Sequence, residues 1–219
     1  MNTLIITGWG WKDYGCAAAV ALRKFPDAKV IGSSTNRLPE KLAELAERPP
    51  DELQTVIILG IGWRGEPDYL LTLVKRLHDK KIAVNWLSAL PLPEWLPAEF
   101  SKIVNCQINP NDEYLTSWVA KLYQQDASDL LTILNSEGKK NNKPDLARKL
   151  LILDAAMYFY RNYQDFDAYG TAIRTLAEGR NQLKEEQNEM ITHFERYGTR
   201  ELVGKSPMIT NLRSLIAKV

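Results

Sequence analysis

Residue types suited to binding a small ligand recur in three short segments of this 219-residue sequence. Residues 8–14 and 60–66 hold glycines, tryptophans and the cations Lys12 and Arg64, and residues 87–92 contribute the polar residue Ser88. Glycine admits close approach to the backbone, a cation can meet a phosphate or carboxylate, and an indole can stack on a flat ligand. The three segments therefore predict a ligand site. Its predicted members are Gly8, Trp9, Gly10, Lys12, Asp13, Gly60, Trp63, Arg64 and Ser88.

A structural interpretation of these residues remains equally open. The tryptophans concerned are Trp9, Trp11, Trp63 and Trp86. Their indoles would then fill space inside the protein or form a dimer surface. The polar residues beside them, Asp13 included, would act as helix caps or hydrogen-bonded core groups.

Side chains for catalysis or metal binding are scarce. The sequence has two histidines, His78 and His193, and two cysteines, Cys16 and Cys106. Their spacing matches no zinc site, disulfide framework or catalytic triad. We therefore predict no catalytic residue and no metal site, and we expect Cys16 to be a small packing residue.

Composition argues against several classes of protein. The 28 basic and 27 acidic residues give a net charge of +1, which provides no whole-chain attraction to nucleic acid. No apolar run approaches the roughly 18 residues that a membrane helix needs. The first 15 residues lack the basic region and cleavage site of a signal peptide. We expect a cytoplasmic protein without membrane contact.

The elements that must position the three segments alternate between strand and helix patterns. Apolar runs predict strands over residues 4–7, 29–32, 55–59, 82–86 and 102–105, and helical patterns cover 15–25, 39–47 and 67–80. This order predicts an α/β domain over residues 1–110, with a parallel, doubly wound sheet of about five strands. Ligands of such sheets bind beyond the carboxyl ends of the strands, where the three segments lie.

Beyond residue 110 the strand patterns cease. Helices are predicted over residues 111–123, 127–134 and 145–162, as a helical extension of the same domain through residue 171. Residues 172–197 predict a long linker helix with a weak heptad seam, since its d positions are apolar and half of its a positions are polar. These d positions are Leu176, Leu183, Met190 and Tyr197. The seam predicts a homodimer, and a surface helix packed on its own domain is the alternative.

The segment ITGWGWKDYGCAAAVAL resembles the first motif of the DHH phosphoesterase superfamily, a strand ending in Thr-His-x-Asp-x-Asp-Gly before a helix that begins Ser-Ala-Ala. Aligned on Thr7, the family's histidine falls on Gly8 and its two metal-binding aspartates on Gly10 and Lys12. Gly60 stands at the position of a later aspartate. The sequence Ser-Ala-Leu at residues 88–90 replaces Asp-His-His.

The substitutions remove the metal chemistry that the resemblance would otherwise imply. A two-metal phosphoesterase needs carboxylates and imidazoles to hold its ions and to generate a metal hydroxide. Glycines offer no ligand, and Lys12 would repel a metal ion. We therefore expect a DHH-like scaffold over residues 1–105 that is not an enzyme. A phosphoesterase with an altered metal site is the alternative.

Residues 201–219 resemble the opening of the AAA+ domain in bacterial sigma-54-dependent transcription activators. The family's Leu-Ile-Gly-x-Ser-Pro corresponds to LVGKSP at residues 202–207, and the following amphipathic helix ends in Leu215-Ile216 and Val219. Ile209 departs from the usual methionine. The resemblance implies that residues 198–219 begin a truncated AAA+ domain in which Val203 and Gly204 would lie beside the adenine of ATP.

The sequence contains no G-x-x-x-x-G-K-[ST] motif. We therefore expect ATP and magnesium to bind only to AAA+ segments that this chain lacks, and we expect no cofactor within residues 1–219. The resemblance likewise assigns contacts with sigma-54 RNA polymerase and DNA to missing domains.

Together these features predict a regulatory, sensory domain of a sigma-54-dependent activator. It would sense a small ligand, for example a nucleotide-like one, or a partner, and would control assembly of the ATPase. A dimerisation module that binds no ligand is a further alternative.

Overall fold

The structure is a computed structural model that describes residues 2–9, 11–88, 99–109, 113–136, 144–163, 167–179 and 183–198. The described strands are β1 (Thr3–Gly8), β2 (Lys29–Ser33), β3 (Thr55–Leu59), β4 (Ala83–Ser88) and β5 (Val104–Ile108). The described helices are α1 (Lys12–Lys24), α2 (Leu38–Glu47), α3 (Pro67–Asp79), α4 (Phe100–Ile103), α5 (Leu115–Tyr123), α6 (Ser128–Ser136), α7 (Pro144–Tyr163), α8 (Ala168–Ala177) and α9 (Glu185–His193). A π-helical turn over Phe194–Gly198 follows α9.

The five strands form one parallel sheet in the order β2-β1-β3-β4-β5, which confirms the predicted α/β class and the strand number. The register places Gly8 beside Ser33 and Thr7 beside Leu59. Strands β1 and β3 lie in the interior of the sheet and are covered on both faces, which is why their sequences are continuous apolar runs rather than alternating ones.

Each face of the sheet packs against its own set of helices. Ile5 and Ile57 point into one core with α1 and the helices from α5 onward, whereas Ile6 and Ile58 point into a second core with α2, α3 and α4. Successive strand residues alternate between the two cores because side chains alternate across a strand. Cys16 is fully buried in the first core, which confirms it as a small packing residue.

The helical extension packs directly on α1. Helices α5 and α8 both contact α1, and α7 contacts α8. Close packing depends on small residues: a Cβ atom at Gly15 would lie 2.7 Å from Leu153 of α7, and one at Gly170 of α8 would lie 2.6 Å from the carbonyl oxygen of Val30. Helix α1 begins at Lys12, three residues before the predicted start at residue 15. Gly15 is therefore inside the helix and is not its first residue.

The fifth strand lies later in the sequence than predicted. Residues 100–103 form the short helix α4, anchored by the buried Phe100, and the strand runs over Val104–Ile108 instead of 102–105. The sequence pattern of this strand is weak because most of its residues are partly buried or exposed. Asn105 is exposed on this edge strand and donates a hydrogen bond to Asn85 of β4 at 2.9 Å.

The predicted linker helix over residues 172–197 is wrong as a continuous helix. Helix α8 ends at Ala177, Gly179 adopts a left-handed conformation with φ of 63°, and α9 begins only at Glu185. The side chain of Arg23 stabilises this end, because its Nε donates to the carbonyl oxygen of Ala177 at 3.0 Å. Carbonyls in the last turn of a helix have no partner within the helix and need such donors.

The seam positions are involved in packing within the chain itself. Leu176 is buried, Leu183 and Met190 are partly buried against the first core, and Tyr197 is exposed. Leu176, Leu183 and Met190 therefore follow the alternative interpretation, in which the seam residues pack on their own domain. A homodimer remains a prediction. Within the described residues, no helix combines the length and the apolar character that crossing a membrane requires.

Candidate functional site

The strand order reverses between β1 and β3, and this reversal locates the ligand crevice that a doubly wound sheet offers. The chain leaves β1 toward β2 on one side, and it leaves β3 toward β4 on the other. The connections at the carboxyl ends of β1 and β3 diverge there and open a crevice. Of the predicted site residues, Gly8 and Gly60 lie at this point.

The ring of Tyr14 lies in that crevice. A Cβ atom at Gly8 would lie 2.7 Å from Cδ2 of Tyr14, and one at Gly60 would lie 2.7 Å from its Cδ1. The hydroxyl of Thr7 donates to the carbonyl oxygen of Tyr14 at 3.0 Å and so fixes the backbone beneath the ring. Burial raises the pKa of the Tyr14 phenol, and the nearby charge of Asp13 raises it further. The two glycines thus admit a side chain of the protein itself.

Asp13 caps helix α5. Its carboxylate accepts hydrogen bonds from the backbone N–H of Leu115 at 2.7 Å and of Thr116 at 3.0 Å, and from the hydroxyl of Thr116 at 2.7 Å. These N–H groups belong to the first turn of α5, where no partner exists within the helix. The structure therefore supports the interpretation of Asp13 as a helix cap.

Lys12 is paired with a carboxylate rather than directed at an open site. Its Nζ lies 3.2 Å from Oδ2 of Asp154 on α7. Lys12 occupies a position at which the DHH motif has a metal-binding aspartate, so a cation stands where the motif requires an anion. The pair links the start of α1 to α7 across the carboxyl edge of the sheet.

The four tryptophans divide between the core and the surface. Trp63 and Trp86 are 5% and 0% exposed, and their rings pack edge to face at 6.4 Å in the second core. Trp86 donates to the carbonyl oxygen of Ile61 at 2.8 Å. Trp63 is therefore a space-filling residue and does not line the crevice, contrary to its predicted place there. Trp11, by contrast, is 70% exposed.

Trp9 belongs to a cluster that the sequence did not reveal. Its ring packs on Tyr160 of α7, with centroids 4.6 Å apart and planes inclined by 53°. The guanidinium carbon of Arg37 lies 5.8 Å from the centroid of each ring, and Arg37 donates a hydrogen bond to the hydroxyl of Tyr160. We call Trp9, Arg37 and Tyr160 the Arg37 cluster. It lies beside the carboxyl end of β2, one strand away from the crevice.

The remaining predicted residues are dispersed. Ser88 is buried at the end of β4, where its carbonyl oxygen accepts the N–H of Asn109 at 3.0 Å. Arg64 is exposed in the connection after β3. Gly10, Val203 and Gly204 lie outside the described residues.

The described residues Gly8, Lys12 and Gly60, which align with metal ligands of the DHH motifs, do not fit metal ions. Gly8 and Gly60 have no side-chain donor atom and face the ring of Tyr14, and Lys12 is bound to Asp154. Within the described part of the chain, no three acidic, histidine or cysteine side chains gather closely enough to hold an ion.

No family model and no curated protein matches the sequence. Among solved structures, the chain is similar to an uncharacterized protein from Helicobacter pylori G27, with a TM-score of 0.56 at 11% identity. That alignment covers 94% of this chain and 65% of the other, and it supports the fold alone. A second likeness is to RecJ from Thermus thermophilus, solved with Mn²⁺, with a TM-score of 0.45 at 10% identity, covering 94% of this chain and 37% of RecJ. At that score the likeness does not identify a family.

Proposed function

We propose that this chain is a non-catalytic sensory domain of a sigma-54-dependent transcription activator, built on a DHH-like scaffold. The domain responds to a small ligand or partner at the carboxyl edge of its sheet and regulates an ATPase that follows it. The observation that carries the non-catalytic part is the ring of Tyr14, which lies against both Gly8 and Gly60, two positions that align with metal-site residues of the DHH motifs.

The regulatory part rests on the resemblance of residues 201–219 to the start of the activators' AAA+ domain. That segment lies outside the described residues, and its support is the LVGKSP motif with the amphipathic pattern that follows. The proposal places the sensory domain directly before the ATPase in the chain. DNA and sigma-54 RNA polymerase are contacted by other segments of the full protein.

Helix α7 supplies a route from the sheet edge to the end of the described chain. It carries Asp154 and Tyr160 at the sheet edge. It also carries Arg148, whose guanidinium binds Glu195 in the π-helical turn at 3.1 Å. Tyr158 of α7 packs against Phe194 of the same turn, with ring centroids 5.9 Å apart. A ligand that favours one position of α7 would thereby bias the chain that leads toward residue 199, as a two-state switch requires.

The proposal is tested in two steps. Sequencing the gene beyond codon 219 should reveal a G-x-x-x-x-G-K-[ST] motif, and its absence would overturn the regulatory part. A sigma-54-dependent reporter is then compared between the full protein and a version lacking residues 1–198. We expect the truncated version to lose regulation, as either constitutive or absent transcription. An unchanged response would contradict a sensory role.

The enzymatic alternative has its own test. The purified chain is incubated with manganese and with cyclic dinucleotides or short oligonucleotides, and product is measured by chromatography. We expect no turnover above background. Hydrolysis that depends on manganese, and that Lys12→Met abolishes, would show a phosphoesterase and contradict the non-catalytic proposal.

A further inference from the structure

We propose that the Arg37 cluster binds the oxyanion group, a phosphate or a carboxylate, of a small ligand at the carboxyl end of β2. This inference rests on the proposed sensory function and gives the sensed ligand a chemical class. Arg37 and Tyr160 lie outside the residues that the sequence suggests, and the site is separate from the crevice that Tyr14 fills.

The guanidinium of Arg37 is held in place before any ligand arrives. Its carbon lies 5.8 Å from the centroids of Trp9 and Tyr160, and one of its N–H groups donates to the Tyr160 hydroxyl. A cation is attracted to the faces of such rings. The ring of Trp9 is itself confined, because a Cβ atom at Gly32 would lie 2.8 Å from it. Fixing a long side chain in advance lowers the entropy that ligand binding must cost.

Among the described residues, Arg37 uses little of its hydrogen-bonding capacity. A guanidinium has five N–H donors, and one bond to the Tyr160 hydroxyl uses a single donor. Arg37 is exposed, and within the described residues it forms no ion pair with a carboxylate. Even Glu40, the acidic residue in the first turn of α2, does not pair with it. A fork of donors that is positioned but not neutralised matches an oxyanion, which it binds through two parallel hydrogen bonds.

Two other described cations near this edge, Lys12 and Arg64, lack this combination. Lys12 is already paired with Asp154. Arg64 is exposed, and among the described residues no aromatic ring or acceptor holds it. Arg37 therefore combines a fixed position with donors that no other described residue uses. Since Tyr160 belongs to α7, an anion bound by Arg37 also acts on the helix that contacts the π-helical turn.

The test uses the whole chain with two probes, inorganic phosphate and succinate, against sodium chloride of equal ionic strength. Melting temperature and the indole N–H resonances of the six tryptophans are followed by calorimetry and NMR, with Trp9 assigned from Trp9→Phe. We expect one probe to raise the melting temperature saturably, by roughly 3 °C or more at saturation, since a ligand selective for the native state must do so. The Trp9 resonance should shift with the same saturation curve. A response to phosphate alone identifies a phosphorylated ligand, and one to succinate alone a carboxylate.

Two matched variants decide whether Arg37 is responsible. Arg37→Lys keeps the charge but removes the fork, so the probe should bind at least about tenfold more weakly. Arg48→Lys makes the same change at an exposed arginine at the opposite end of α2 and should change nothing. Equal binding by Arg37→Lys and the wild type, or a Trp9 resonance that neither probe shifts in the unaltered chain, would overturn the proposal. The readout is binding, whereas the sensory function is read by transcription, so the two can fail separately.

Discussion

The side-chain amide of Gln187 donates a hydrogen bond to the hydroxyl of Thr175, and both side chains are buried. The bond joins α9 to α8 of the same chain. The carbonyl oxygen of the Gln187 side chain also accepts the backbone N–H of Lys184 at 2.9 Å, which closes the start of α9. Gln187 falls on an a position of the predicted heptad seam. Its polar side chain is satisfied inside the chain.

Replacing Gln187 by alanine should therefore destabilise the folded chain itself. The variant loses two hydrogen bonds and buried volume, and it leaves the hydroxyl of Thr175 with one fewer partner. We expect a loss of about 1–3 kcal/mol in the free energy of unfolding, measured by urea denaturation. Glu189→Ala, at an exposed position of the same helix, should change it by less than about 0.5 kcal/mol. If Gln187→Ala instead left stability intact and changed only a dimer equilibrium, the hydrogen bond between α9 and α8 of the same chain would be contradicted.

Glycine at position 60 should be indispensable, whereas glycine at position 62 should not. Gly60 has a φ of 67°, and its Cβ would strike Tyr14, while a Cβ at Gly62 would meet no atom within 4 Å. A left-handed conformation costs an alanine about 1–2 kcal/mol, and overpacking adds about 1–3 kcal/mol. We expect Gly60→Ala to lower the free energy of unfolding by about 2–5 kcal/mol and Gly62→Ala to leave it nearly unchanged. In the Tyr14→Ala background the penalty at Gly60 should shrink, and an undiminished penalty would contradict the close contact.

The residues of the candidate site could be predicted only in part. A glycine in the sequence indicates room beside the backbone, but it does not indicate whether a ligand or another side chain fills that room. Gly8 and Gly60 were expected to admit a ligand, and they admit the ring of Tyr14. Arg37 escaped prediction because its partner Tyr160 lies 123 residues away in the chain. A ring that completes a cluster from a distant helix leaves no local pattern in the sequence.

The fold followed from the sequence wherever burial was two-sided. Strand β3 was predicted with its observed bounds, Thr55–Leu59, since each of its last four residues is apolar. The predicted bounds of strand β5 were wrong because several of its residues, such as Asn105, are polar or exposed. They therefore give no apolar pattern that would mark the strand in the sequence. The prediction of one continuous linker helix was wrong because the apolar heptad spacing, as from Leu176 to Leu183, continues past Gly179, whose left-handed conformation follows the end of α8.

Alkaline pH should destabilise the protein through its buried tyrosines. Burial raises the pKa of Tyr123 to about 12, from 10.0, and it also raises the pKa of Tyr14 and of Tyr169. Above about pH 10 the unfolded chain loses phenol protons that the folded chain retains, so stability is full below that pH and falls as pH rises. Each such tyrosine contributes a slope of up to about 1.4 kcal/mol per pH unit. The measurement is urea unfolding across this range. Tyr123→Phe should flatten the decline, and a slope equal to that of the wild type would contradict the shift at Tyr123.

Replacing Arg23 should weaken the contacts at the junction of α1, α6 and α8. Its guanidinium donates to the carbonyl oxygens of Asp126 at 2.5 Å and Ala177 at 3.0 Å, and it binds both carboxylate oxygens of Asp129. Arg23→Met keeps much of the aliphatic stem but leaves these acceptors without their donor, so we expect a loss of about 2–4 kcal/mol in the free energy of unfolding.

The neighbouring Lys24→Met is the matched control for Arg23. Lys24 is exposed at the end of α1, and the same substitution there should cost less than about 0.5 kcal/mol. Hydrogen exchange separates a local effect from a global one. In Arg23→Met the amides of α8 and α9 should exchange faster than those of β1 and β3, because the carbonyls that Arg23 binds end α8 just before the turn toward α9. Uniformly faster exchange across the sheet would show that Arg23 supports the whole fold rather than this junction.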